Sequence, residues 1–95
     1  MRTRARIDAN QVAIVKALRG IGASVRSLAQ LGGGVPDLLV GRRGVTLILE
    51  IKNGSKPASE TRLTPDEQKF VNEWAGQWAK VTSPEGAVQY VLENT

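Results

Sequence analysis

Gly34-Val35-Pro36-Asp37, followed after twelve intervening residues by Glu50-Ile51-Lys52, brackets the stretch that decides how this chain folds. Between them, Leu38-Leu39-Val40-Gly41-Arg42-Arg43-Gly44-Val45-Thr46-Leu47-Ile48-Leu49 reads as strand, tight turn, strand. With Arg43-Gly44 as a two-residue loop, Arg42 faces Val45, and counting outward Asp37 faces Glu50. Directly opposed residues share a face, with Cβ atoms roughly 4.5–5.5 Å apart. Lys52 lies two positions beyond Glu50, so strand alternation places it on that face too. Leu38, Val40, Leu47, Leu49 and Ile51 then point to the opposite face, toward a core. The three polar residues admit two readings. One is a surface salt bridge, with Lys52 or an arginine paired to the acids. The other is a divalent-metal site with a positive charge beside it, which the Gly-x-Pro-Asp in matching register favours.

Outward from the hairpin, Asp8 can cap a helix that runs to about Arg19 and ends at Gly20 and Gly22. Gln11, Ile14, Val15 and Leu18 form its inner stripe. Ala23 to Leu28 reads as a first strand, and Leu31-Gly32-Gly33-Gly34-Val35-Pro36 as a turn-rich approach to the hairpin. The glycines do not form a phosphate loop, because no Gly-Lys-Ser/Thr follows and no helix begins there; they let backbone pass close to a ligand or to the metal site. Asn53 to Arg62 is polar and reads as a mobile loop. Thr64-Pro65-Asp66-Glu67 is a strong helix start, with an N-cap threonine, a proline at the first helical position and a capping-box glutamate. That helix runs to about Trp74 or Ala75, with Phe70, Val71 and Trp74 inward and Gly76 ending it. Trp78 to Thr82 is a short fourth strand, and Ser83-Pro84-Glu85 opens a last helix carrying Val88, Val91 and Leu92. The order α-β-β-β-α-β-α predicts an α/β layer fold in which the fourth strand joins the sheet parallel to a neighbour.

Ninety-five residues suit a single domain spanning 1–95 with one core. Only four residues are aromatic (two Trp, one Tyr, one Phe), so aliphatic side chains must fill that core. No run is long and apolar enough to span a bilayer, and Met1-Arg2-Thr3-Arg4-Ala5-Arg6 lacks the apolar segment of a signal peptide. The absence of cysteine excludes disulfides and thiolate metal sites. The absence of histidine excludes a Ser-His triad and the usual zinc hydrolase ligand sets. Hydrolytic chemistry in this chain must therefore rest on carboxylates, lysine and an oxygen-loving metal. A net charge of +4 and a pI near 10.0 suit a polyanionic partner or a merely solubilising surface. Arg2, Arg4 and Arg6 form a basic arm, Arg42 and Arg43 mark the hairpin tip, and Lys56 and Arg62 flank the polar loop.

Two convergent carboxylates suit Mg²⁺, a hard cation that prefers oxygen ligands and keeps several waters. The backbone carbonyl of Ile51 is available as a further oxygen. A bound divalent ion lowers the pKa of water and neutralises phosphoryl charge, and Lys52 can orient or deprotonate that water or stabilise the transition state. Together these parts suit hydrolysis of a phosphodiester.

Through Gly34-Val35-Pro36-Asp37, Glu50-Ile51-Lys52 and Leu63-Thr64-Pro65 leading to Gln68, the chain resembles the PD-(D/E)XK nuclease superfamily. The likeness covers nearly its whole length and is greatest to the small stand-alone VRR-NUC branch of phages and bacteria. The resemblance implies a restriction-endonuclease-like αβββαβ core with a mixed sheet flanked by helices, plus a C-terminal helix. It implies that Asp37 and Glu50 bind Mg²⁺ (with Mn²⁺ able to substitute), that Ile51 contributes its carbonyl, and that Lys52 acts at the water or scissile phosphate. Gln68 reaches the active site from its helix in this branch, or else is an exposed polar residue of an early turn. The branch also carries an acid on the first helix; Asp8 stands there, as that acid or as a simple N-cap, and Gln11 shares its face. Trp74 and Trp78 are core residues or base-stacking platforms, and Trp78 also suits a subunit contact. The function implied is a metal-dependent DNA endonuclease, selective for branched DNA such as Holliday junctions or flaps. A homodimer acting in the cytoplasm of a bacterium or phage-infected cell is implied as well. A non-catalytic DNA-binding or assembly module on the same scaffold, and a regulatory protein–protein module, are the alternatives.

Overall fold

The computed structural model describes residues 9–95. Asp8, Arg2, Arg4 and Arg6 lie outside the described residues. The hairpin forms as its turn chemistry dictates. Strand β2 (Leu38–Arg42) pairs antiparallel with β3 (Val45–Ile51), Leu38 facing Leu49 and Arg42 facing Val45. Arg43 and Gly44 both have positive φ, 55° and 81°, the two left-handed positions of a type I′ turn whose twist matches its strands. Strand β1 (Ser24–Ser27) adds antiparallel to β2, and β4 (Trp78–Val81) adds parallel to β3. The sheet order is β1-β2-β3-β4.

Strand alternation gives the sheet two unlike faces. Val25, Leu38, Val40, Leu47, Leu49 and Val81 share one face and pack with Ile14 and Leu18 of α1 (Ala9–Gly20) and with Ala87 and Val91 of the C-terminal helix (Pro84–Asn94). Leu38, Val40, Leu47 and Leu49 are at most 1% exposed, so this is where the fold's stability is concentrated. Truncating a leucine in such a position costs about 2–5 kcal/mol, a large part of a small domain's total. Ile51, at the end of the same row, is only half-buried. Arg42 is not a free basic tip: it donates to the Ile21 carbonyl (3.1 Å) and to Thr95 Oγ1 (3.0 Å), tying the hairpin to both helix ends.

On the other face lies α3 (Pro65–Glu73), preceded by a short helix, α2 (Ala58–Thr61); the C-terminal helix is α4. The α3 start is as its sequence reads. Thr64 accepts from the Glu67 N–H, and Glu67 accepts from the Thr64 N–H, a complete capping box. Two expectations on this side need correction. The segment 53–62 is not wholly loop, because Pro57 sets up the turn of α2 inside it. Lys80 Nζ ties that turn down through the Thr61 carbonyl at 2.9 Å. Trp74 does not face the core: it is 43% exposed and stacks on Phe70, with ring centroids 5.3 Å apart. Its ring covers Gly76, where any Cβ would press on the indole, so the tryptophan closes the turn after α3.

The glycine run before the hairpin serves this face. Gly34 (φ +83°) passes so close to the first turn of α3 that a Cβ there would overlap the Asp66 carbonyl. Gly33 has a similar backbone, φ +64°, but open space around it. Gly33→Ala should therefore cost only the left-handed conformation, about 1–2 kcal/mol. Gly34→Ala must also push α3 off the hairpin and should lower the melting temperature well beyond Gly33→Ala, as thermal denaturation of the two variants will show.

Candidate active site

Asp37 sits at the mouth of β2, where its backbone is fixed on both sides. Its N–H donates to the Leu49 carbonyl (3.0 Å) and its own carbonyl accepts from Leu28 N–H (2.8 Å). Pro36 before it is fully buried and restricts the chain's entry. The side chain then turns to β3, where Oδ2 accepts from the Ile51 N–H at 2.7 Å. Those bonds extend the hairpin register by one step and bring Asp37 beside Glu50.

Glu50 is the buried charged residue of the described chain, 3% exposed. Its carboxyl lies among the acidic side chains of Asp37 and Glu67. Burial first, then the charges of Asp37 and Glu67, push its pKa up to about 9, with Lys52 opposing. Without a cation, the group therefore holds its proton at neutral pH. Lys52 Nζ stands 3.7 Å from Glu50 Oε2 and 2.9 Å from Glu67 Oε1. Burial favours the neutral amine of Lys52, but the hydrogen bond to Glu67 and the surrounding acids outweigh it and raise the pKa. Burial likewise disfavours the Glu67 anion, but Lys52 and the Thr64 N–H hold its carboxyl below the ordinary value.

The structure thus brings together Asp37, Glu50 and Lys52, with the Ile51 backbone between the two acids, and does not bring Gln68 to them. Gln68 is exposed, and its amide donates to Asn72 Oδ1 at 2.9 Å. The residue that reaches the cluster is its neighbour Glu67. Adjacent helical residues diverge by about 100°, so only one of the two can face the sheet. By sequence alone Glu67 is only a capping residue. Position N3 of a capping box was the available clue, because that side chain folds back over the helix start, where Gly34 crosses.

A second missed residue is Asn10 of α1. Its amide donates to the carbonyls of Lys52 (3.0 Å) and Thr82 (3.3 Å), holding the ends of β3 and β4 together just past the ladder. Gln11 is half-buried and lines a groove with Val15, Val25 and Leu38.

The donor set fits a hard divalent cation. It is all oxygen, and its buried member is protonated in a position where a cation can replace the proton. Among the described residues, no group of three or more His, Cys, Asp or Glu side chains is placed to hold a metal. Glu67 Oε1 is already engaged by Lys52 and Thr64. That leaves Asp37, Glu50 and a backbone carbonyl, a sparse set of the kind Mg²⁺ accepts because it retains waters.

A solved structure described as a VRR_NUC domain is similar to this chain, with a TM-score of 0.67 and 21% sequence identity. The match covers 90% of this chain and 92% of the other. The chain has a VRR-NUC-type, restriction-endonuclease-like fold: a mixed four-stranded sheet with flanking helices. No family model and no curated protein matches the sequence. Among the described residues, no helix is long and apolar enough to cross a membrane.

Glu50 gives a pH signature. Folded, it keeps its proton to about pH 9; unfolded, it loses it near 4.5. The stabilisation is therefore complete below the unfolded pKa and is lost as pH rises through the folded one. Without divalent ions, the melting temperature should fall from about pH 6 to 9. Glu50→Gln, which mimics the protonated acid, should flatten that slope and raise the melting temperature at the alkaline end by about 4 °C or more. An unchanged slope in Glu50→Gln would show that Glu50 is ionised in the folded chain.

Proposed function

We propose that this protein is a metal-dependent DNA endonuclease. The observation that carries this reading is the convergence of Asp37, Glu50 and Lys52 at one end of the hairpin, on a VRR-NUC-type fold. Asp37, Glu50 and the Ile51 carbonyl would hold Mg²⁺, with Mn²⁺ able to substitute. When bound there, such an ion would supply Lewis acidity toward a water and charge neutralisation toward the phosphodiester. Lys52 provides the positive charge at the attacked phosphate and positions the water. Glu67 and Asn10 act through Lys52. The first holds its ammonium group, the second its backbone carbonyl. Gln68 acts from the adjoining surface rather than at the metal. A homodimer working on branched DNA, such as a four-way junction or a flap, suits a small domain whose own surface spans little duplex.

Labelled four-way-junction, flap, duplex and single-stranded DNA, each with Mg²⁺, Mn²⁺ or EDTA, test the reading. Cutting is expected with either metal and not with EDTA, faster on branched DNA than on plain duplex. Lys52→Ala should lose about 10²-fold or more. Equal rates on duplex and branched DNA would remove the branched-DNA assignment. Tight binding without cutting in either metal would instead identify a non-catalytic DNA-binding module.

A further inference from the structure

Beside the carboxylates, the same sheet face continues into a cleft of about 340 Å³ lined by Arg62, Leu63, Gln68, Trp78 and Lys80. We propose that this cleft is a subsite for one unpaired deoxynucleotide of the strand being cut, with Trp78 against the base and Arg62 and Lys80 on its phosphate. The inference rests on the nuclease reading and specifies its substrate.

Four observations support it. The first is position: Lys80 is the ladder partner of Glu50, and Trp78 that of Ile48. Neighbouring strands lie about 4.8 Å apart, so the cleft begins one strand spacing from Glu50. Gln68 follows Glu67 directly, so the first turn of α3 borders both the cluster and the cleft. The second is charge. Two cations and no carboxylate line the cleft, whereas the cluster next to it is acidic. The Arg62 side chain makes no hydrogen bond or ion pair among the described residues, leaving its guanidinium available for a phosphate. Lys80 spends one of three donors on the Thr61 carbonyl, which places its ammonium at the cleft rim.

The third is the aromatic ring. Trp78 is half-buried, held by its strand, and its carbonyl accepts from the Tyr90 hydroxyl at 3.3 Å. A half-buried indole edged by cations is the combination that binds single strands by stacking and phosphate contact. The fourth is size, which falls in the range of about 300–1,000 Å³ typical of small-ligand pockets. A base paired inside duplex has both faces stacked and cannot enter such a cleft, so the occupant is unpaired.

The test uses Trp74→Phe, which leaves Trp78 as the chain's single tryptophan, in EDTA so that nothing is cut. A labelled oligodeoxythymidylate of about ten nucleotides is followed by anisotropy, and Trp78 emission is read in parallel. We expect binding with quenching of Trp78, and weaker quenching by a blunt duplex. Arg62→Ala, an exposed change, should weaken binding and reduce the salt slope by about 0.7, the value for one phosphate on a single strand. Trp78→Leu should weaken binding about 5-fold or more, the lower end of a stacking contribution. Binding with Trp78 emission unmoved, or with Arg62→Ala unchanged, overturns the subsite and leaves the nuclease reading standing. Equal quenching by duplex overturns the unpaired nucleotide. No binding by anisotropy, together with no cutting of the DNA panel, overturns both.

Discussion

A carboxyl group buried at the end of β3 against a second carboxylate is the constraint around which the hairpin and α3 are arranged. Glu50 is 3% exposed, and its neighbours Asp37 and Glu67 are both acidic. Like charges this close cannot all ionise in a dry site, so a proton or a cation must occupy the space. Asp37 cannot swing away, since its backbone bonds to Leu49 and Leu28 and its side-chain bond to Ile51 fix it from three sides. Lys52 is drawn in by Glu50 and Glu67 together. The site is therefore kept assembled by the folded backbone, and its electrostatic repulsion is relieved by whatever positive charge enters.

The position of α3 follows from that arrangement. Its capping box fixes Glu67 at the helix start, and Gly34 lets the helix start lie directly on the hairpin approach. A side chain at Gly34 would lift the helix and take Glu67 from Lys52. One side of the sheet thus holds the apolar core with α1 and α4, while the other holds the polar cluster, α3 and the cationic cleft.

Much of this is legible in the sequence because local rules decide it. The Arg43-Gly44 turn fixes the hairpin register, so Asp37 and Glu50 can be placed together by counting. Thr64-Pro65 marks the start of α3 to the residue. What is not legible depends on contacts that no short-range rule sets. One residue along a helix separates Gln68, which faces outward, from Glu67, which reaches Lys52. The pairing of Glu50 with Lys80 belongs to a parallel strand whose register no turn dictates. Asn10 meets carbonyls 42 and 72 residues away. Trp74 looks like an inward residue by spacing, but Gly76 leaves room for its ring to fold back on the turn.

The most direct measurement is calorimetric titration of the protein with Mg²⁺ or Mn²⁺ near pH 7.5, in two buffers of different ionisation enthalpy. A cation that displaces the Glu50 proton should release about one proton per ion bound. Asp37→Asn should weaken the binding. Binding with no proton released, or binding unaffected by Asp37→Asn, would contradict the account.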